Sequence, residues 1–148
     1  MTDKTAELSR LFFEIRRGSN ALAALGDRLH ADLKVTSAMR ALMEYLSING
    51  EGTVPDVARA KNVTRQHIQQ ISNALVKLGL LEFVANPRHK RSPFVALTPK
   101  GEEIFTEIRT REASVLGDLA IRLDDLDAGA AADATARLRA EIASLDPS

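Results

Sequence analysis

The chain is 148 residues long, contains no cysteine, and balances 20 Lys and Arg against 20 Asp and Glu. That length suits one domain spanning 1–148, and the missing thiols exclude disulfides, thiolate metal sites and sensing through a reactive cysteine. No apolar run approaches the roughly 18 residues of a membrane span, and the polar N-terminus does not read as a signal peptide, so a soluble, cytoplasmic protein without a membrane partner is expected.

Zero net charge argues against a nucleic-acid partner until the chain is divided. Residues 1–52 carry 7 basic and 7 acidic side chains, residues 53–100 carry 8 and 2, and residues 101–148 carry 5 and 11. A central lobe of net +6 is thus followed by a stretch of net −6. Because the field of a protein is local, such a lobe attracts phosphate while the remainder holds the chain in solution.

Leu8, Leu11, Phe12, Ile15, Leu22, Leu25 and Leu29 recur at three- and four-residue steps and predict one amphipathic helix over 5–30. Gly18 interrupts it, marking a bend or a close helix contact. Thr36 caps a second helix, 37–48, expected to bury Met39, Leu42, Met43 and Leu46, and Asn49-Gly50-Glu51-Gly52 stops it. Thr53 opens a short third helix, with Pro55 in its first turn and Asp56 in a capping-box position. Its buried side is Val54, Val57 and Ala58. Ala60-Lys61-Asn62-Val63 makes a turn in which Asn62 best tolerates a left-handed backbone. Thr64 then caps a helix over 65–78, closed by Gly79.

Strands are expected over 80–85 and 94–97, joined by a long hairpin loop at 86–92. Thr98-Pro99 starts a helix over 99–125 with Ile104, Ile108, Val115, Leu119 and Leu123 along one side. A break at Asp127-Ala128-Gly129 precedes a last alanine-rich helix, 130–145, expected to bury Ala134, Leu138, Ile142 and Leu145.

On a helical wheel of residues 65–78, Ile68, Ile71, Leu75 and Leu78 form a narrow core stripe. The opposite face holds Arg65, Gln66, Gln69, Gln70, Asn73 and Lys77, with no acid. Amides and guanidinium make two hydrogen bonds to a base edge, whereas a carboxylate in the groove is repelled by phosphates. Thr64, Arg65 and Gln66 stand at the N-terminal end, where helix-turn-helix proteins touch bases. In the following hairpin loop Arg88, His89, Lys90 and Arg91 gather three permanent cations and a histidine, suited to phosphate or a narrow minor groove. Helix, turn, helix and basic hairpin together predict a winged helix-turn-helix reading double-stranded DNA.

Signs of catalysis are missing. His30, His67 and His89 are not at ligand spacing from one another, and no phosphate loop or nucleophile elbow occurs. Asp124, Asp125 and Asp127 lack the glycine and distal Glu of a calcium loop and read as a helix end and cap. No enzyme, cofactor or metal is expected.

Four stretches carry a family resemblance: Thr36 to Leu42; Val63-Thr64-Arg65-Gln66 leading to Leu75-Val76-Lys77-Leu78-Gly79-Leu80-Leu81; Asn86 to Arg91; and Leu97-Thr98-Pro99-Lys100-Gly101. Over about residues 5–145 the chain resembles the MarR family of winged-helix transcription regulators. That family's wing usually reads Asp-Pro-x-Asp-Arg-Arg, and its second Asp holds the wing arginine. Here Asn86, His89 and Lys90 replace three of those residues, while Arg91 keeps the last.

The resemblance implies a mainly α fold with a small β-hairpin, in which a winged-helix lobe, 36–98, is flanked by dimerisation helices, 5–35 and 99–145. It further implies a homodimeric regulator, usually a repressor, that reads a pseudo-palindrome. A small aromatic or anionic effector held near Arg16, Ser19, Asn20 and Tyr45 would release the DNA. The alternative is a winged-helix module that binds protein instead of DNA, favoured by the zero net charge, the altered wing and the acidic last third.

Overall fold

In the computed structural model, which describes residues 2–145, Thr2 caps the first helix, its hydroxyl accepting from the Thr5 amide at 3.2 Å. Helix α1, Asp3–Leu29, runs unbroken through Gly18, around which a Cβ would meet nothing within 4 Å. No close helix contact therefore explains that glycine among the described residues. A 3-10 turn at Ala31–Leu33 and a left-handed Lys34 lead into α2, Ser37–Asn49, with Thr36 as its cap. The α1–α2 corner is close: Ser37 donates from its hydroxyl to the Ala23 carbonyl at 2.6 Å and from its amide to Asp27 Oδ1 at 2.7 Å. Gly26 makes room for it, since a Cβ there would lie 2.9 Å from Ser37 Oγ.

Strand β1, Gly52–Thr53, follows, then α3, Val54–Lys61, and α4, Arg65–Lys77. Asn62 takes the left-handed conformation between the helices at φ 54°, as its side chain tolerates. After α4, Gly79 sits at φ 74° and the Leu80 amide reaches back to the Leu75 carbonyl at 3.0 Å, a Schellman ending. Strands β2, Leu81–Val84, and β3, Phe94–Leu97, complete an antiparallel sheet of order β1-β3-β2, with Phe83 opposite Val95. The sequence gives no sign of β1. It is two residues long, and its partners Phe94 and Val95 lie far along the chain.

Helix α5, Pro99–Arg122, starts on a junction that accounts for Leu97-Thr98-Pro99-Lys100-Gly101. Thr98 donates from Oγ1 to the Gly79 carbonyl at 2.6 Å and accepts there from the Gly101 amide at 3.0 Å. Lys100 Nζ donates to the Leu78 carbonyl at 3.1 Å, placing a cation at the end of α4 where the helix dipole favours it. A Cβ on Gly101 would fall 2.1 Å from the Leu80 oxygen, so only glycine fits.

Two compact units divide after Arg111. The core of the first joins Val35, Leu42, Met43, Leu46, Val57, Ile68, Leu75, Leu81 and Val95 with Phe105 and Ile108. Helix α4 packs on α2 and α3, and β2 packs on α4. Arg111 ties α5 to the corner after α1, donating to both Asp32 oxygens (2.6 and 2.9 Å), the Leu29 carbonyl (3.0 Å) and Glu107 (3.1 Å). The second unit holds the end of α5 and helix α6, Ala128–Ser144, capped by Asp127 as expected, with its Oδ1 accepting from the Ala130 amide at 2.9 Å.

The burial expected of the last helix is corrected. Helices α1 and α6 bury no residue completely; Leu8, Leu11, Ile15 and Leu22 are exposed, as are Ala134, Ile142 and Leu145. Along α5, Leu119 and Leu123 are exposed too, while Phe105, which the expected stripe omits, is buried. Phe12, Leu25 and Leu29 of α1 and Leu138 of α6 are half-buried. No helix among the described residues is long and apolar enough to cross a membrane.

Candidate nucleic-acid interface

Helix α4 is oriented by its apolar stripe. Ile68 and Leu75 are buried, which turns Arg65, Gln66, Gln69, Gln70, Asn73 and Lys77 outward, and all six are exposed. Thr64 caps the helix, accepting from the His67 amide at 3.0 Å, so the first turn is ordered where its free amides face solvent. Gln69 Nε2 donates to Asn73 Oδ1 at 2.9 Å, which aligns two amides one turn apart on that face. Ser72 lies on the inner side, 0 % exposed, and its hydroxyl has no hydrogen-bond partner among the described residues.

The wing is a double turn. The His89 amide bonds the Asn86 carbonyl at 3.2 Å and the Ser92 amide bonds the His89 carbonyl at 3.1 Å. Asn86 itself is buried, 9 % exposed, and its side chain clamps the loop from within. Its Oδ1 accepts from the Arg88 amide at 3.1 Å and its Nδ2 donates to the Ser92 carbonyl at 3.0 Å. Arg88, His89, Lys90 and Arg91 are all exposed around this clamp. In the sequence Asn86 stands out only as a departure from the family pattern; its place at the first turn of the loop is the signal for the clamp, because Asn bonds backbone two residues on.

Helix and wing share a cleft of about 400 Å³. Arg65, Gln66 and Gln69 of α4 line it together with Arg91, Ser92 and Pro93 at the end of the wing, Phe83 of β2, and Val54 and Pro55 of α3. No carboxylate lines it. In the sequence Pro55 reads only as a first-turn proline and Phe83 only as a strand aromatic, both structural. The remaining expected site residues lie elsewhere. Arg16, Ser19 and Asn20 stand exposed on α1, Tyr45 is half-buried against the core, and none of the four lines the cleft.

No protein-family model matches the chain. An uncharacterised protein of Mycobacterium tuberculosis is 33 % identical over 144 residues, 93 % of this chain and 94 % of that one. The transcriptional activatory protein BadR of Rhodopseudomonas palustris is 30 % identical over 129 residues, 80 % of this chain and 73 % of BadR. Among solved structures, a MarR family transcription regulator superposes with a TM-score of 0.79 at 30 % identity, covering 99 % of both chains. AbfR bound to DNA (TM-score 0.68, 14 % identity, 84 % of this chain and 98 % of that one) shares the fold alone. So does BpsR of Bordetella bronchiseptica, described as regulated in DNA binding by 6-hydroxynicotinic acid (TM-score 0.72, 20 % identity, 90 % and 93 %). With a near full-length structural relative at 30 % identity and a TM-score of 0.79, this chain belongs to the MarR family of transcription regulators.

Proposed function

We propose that the protein is a sequence-specific DNA-binding homodimer in which α4 enters the major groove and the wing follows the backbone into the neighbouring minor groove. The observation that carries this reading is the acid-free face of α4 opening into the same cleft as Arg91. Arg65, Gln66, Gln69, Gln70 and Asn73 meet base edges or the phosphates beside them, and Thr64 orders the amides of the first turn. Lys77, Arg88, His89, Lys90 and Arg91 meet phosphate.

The exposed apolar stripes of α1 and of the last two helices support dimerisation through arms 5–35 and 99–145, leaving 36–98 as the reading lobe. Leu22 and Leu145, each 70 % exposed, are too apolar to be left in water along whole helices. Two lobes related by a twofold axis read half-sites roughly 34–36 Å apart. Repression follows when such a dimer covers a promoter. An aromatic or anionic effector near Arg16, Ser19, Asn20 and Tyr45 is the proposed release signal; BpsR and 6-hydroxynicotinic acid supply the precedent.

Selection of bound sequences from random duplexes, with light scattering on the free protein, tests the reading. A recurrent inverted repeat bound by a dimer is expected. No enrichment from a folded dimer would leave a protein-binding module as the function.

A further inference from the structure

Phe83 is an exposed aromatic ring in the most basic part of the molecule. Within residues 53–98 it and Val63 are the only large apolar side chains that stand exposed, Phe83 at 41 %. Leu81, two residues before it on the strand, is buried, and so is Val95, its cross-strand partner. Its place opposite Val95 in the sheet accounts for part of the ring. It does not account for the rest, which lines a cleft together with Arg65 and Arg91.

We infer that this cleft seats one sugar–phosphate segment of the bound duplex, with Phe83 packed on deoxyribose and Arg65 and Arg91 flanking the adjoining phosphate. The inference rests on the DNA-binding reading proposed above and adds a contact residue to it. In B-form DNA a single sugar–phosphate strand separates the major groove from the adjacent minor groove. If α4 occupies the first and the wing the second, that strand runs between them, where the cleft lies. Chemistry matches in both parts. Deoxyribose presents C–H surface to Phe83 and Pro55, and the phosphate presents charge to two guanidiniums, with no lining carboxylate to oppose it. Phe83 is thus a positioning residue that sets the depth of α4 in the groove.

The test is titration of the full-length dimer against its selected duplex and a random duplex at several salt concentrations. Phe83→Ala weakens both duplexes by about tenfold, the effect of uncovering roughly 50 Å² of ring. The slope of log affinity against log salt stays unchanged, because an apolar contact releases no counterion. Arg91→Ala lowers that slope by about one. A walk of single neutral methylphosphonates along the duplex finds one phosphate per half-site whose neutralisation weakens the wild type but not the Arg65→Ala, Arg91→Ala double variant. Phe83→Leu keeps an apolar side chain opposite Val95 and loses about two- to fivefold; it decides the matter if Phe83→Ala melts early. Wild-type affinity in a folded Phe83→Ala, or in Phe83→Leu where the alanine variant does not fold, overturns the inference and leaves the DNA-binding reading standing. So does stabilisation of the wild type by benzoate that is lost in a Phe83 variant with unaltered DNA affinity, which would assign the cleft to a small anion. A wild type that binds no duplex overturns both.

Discussion

Asn86 Nδ2 donates to the Ser92 carbonyl at 3.0 Å, closing the wing across its base from a buried position. The family pattern places an acid where His89 stands, and the wing holds its shape here without one, because the clamp acts on the backbone at the root of the loop. Asn86→Ala removes both side-chain bonds and costs about 1–3 kcal/mol in wing stability. The measurement is hydrogen exchange at the Arg88 amide, which loses protection in Asn86→Ala and keeps it in His89→Ala.

Contacts with DNA sort by how they respond to sequence and salt. Arg65→Ala or Gln66→Ala costs about 1–3 kcal/mol on the selected duplex, with Gln66→Ala relaxing discrimination at one base pair. Lys90→Ala and Arg91→Ala weaken selected and random duplexes alike and each lower the salt slope by about one unit. Unchanged affinity of Arg91→Ala on both duplexes rules out the wing contact.

Ser72 buries a hydroxyl without a partner among the described residues, in the helix that carries the reading face. Ser72→Ala removes that desolvated group from a position alanine fills well, and raises stability by about 1 kcal/mol in chemical denaturation. DNA affinity stays the same, since the side chain points away from the outer face.

Gly101 packs its α-carbon against the Leu80 carbonyl, with no space for a methyl group. Gly101→Ala must push α5 off the end of α4 and costs about 2–3 kcal/mol or more, against the small gain that alanine brings to an ordinary helical site. Thermal unfolding of the variant reads this directly. A rise in Tm would mean the junction is looser than these distances imply.

Asp32 accepts two hydrogen bonds from Arg111, and that pairing holds its carboxyl below the usual carboxylate range. Depression in the folded state means the contribution is present above the ordinary carboxylate value, about 3.9, and is lost as pH falls through the lower folded value. Asp32→Asn therefore lowers stability at neutral pH and flattens the acid limb of the stability–pH curve. The pair is solvent-facing, so the effect at neutral pH shrinks as salt is raised.

Local rules determined much of this protein from the sequence alone. Thr36, Thr53, Thr64 and Asp127 each accept the capping bond expected of them, Asn62 takes the left-handed turn, and Ile68 and Leu75 set which side of α4 faces out. These features depend on residues a few positions apart, and their periodicity is visible in one dimension. The tertiary structure decided what depends on distant partners. Strand β1 exists through pairing with Phe94 and Val95, Gly101 is required by Leu80, and Phe83 becomes a cleft residue when the fold brings Arg91 and Arg65 to one cleft. An apolar stripe shows that a helix has a side to cover, as on α1 and α6, but not whether its own chain supplies the cover. That answer depends on which surfaces the fold leaves free, and here Leu8, Leu11, Ile15 and Leu22 of α1 and Ile142 and Leu145 of α6 stay exposed.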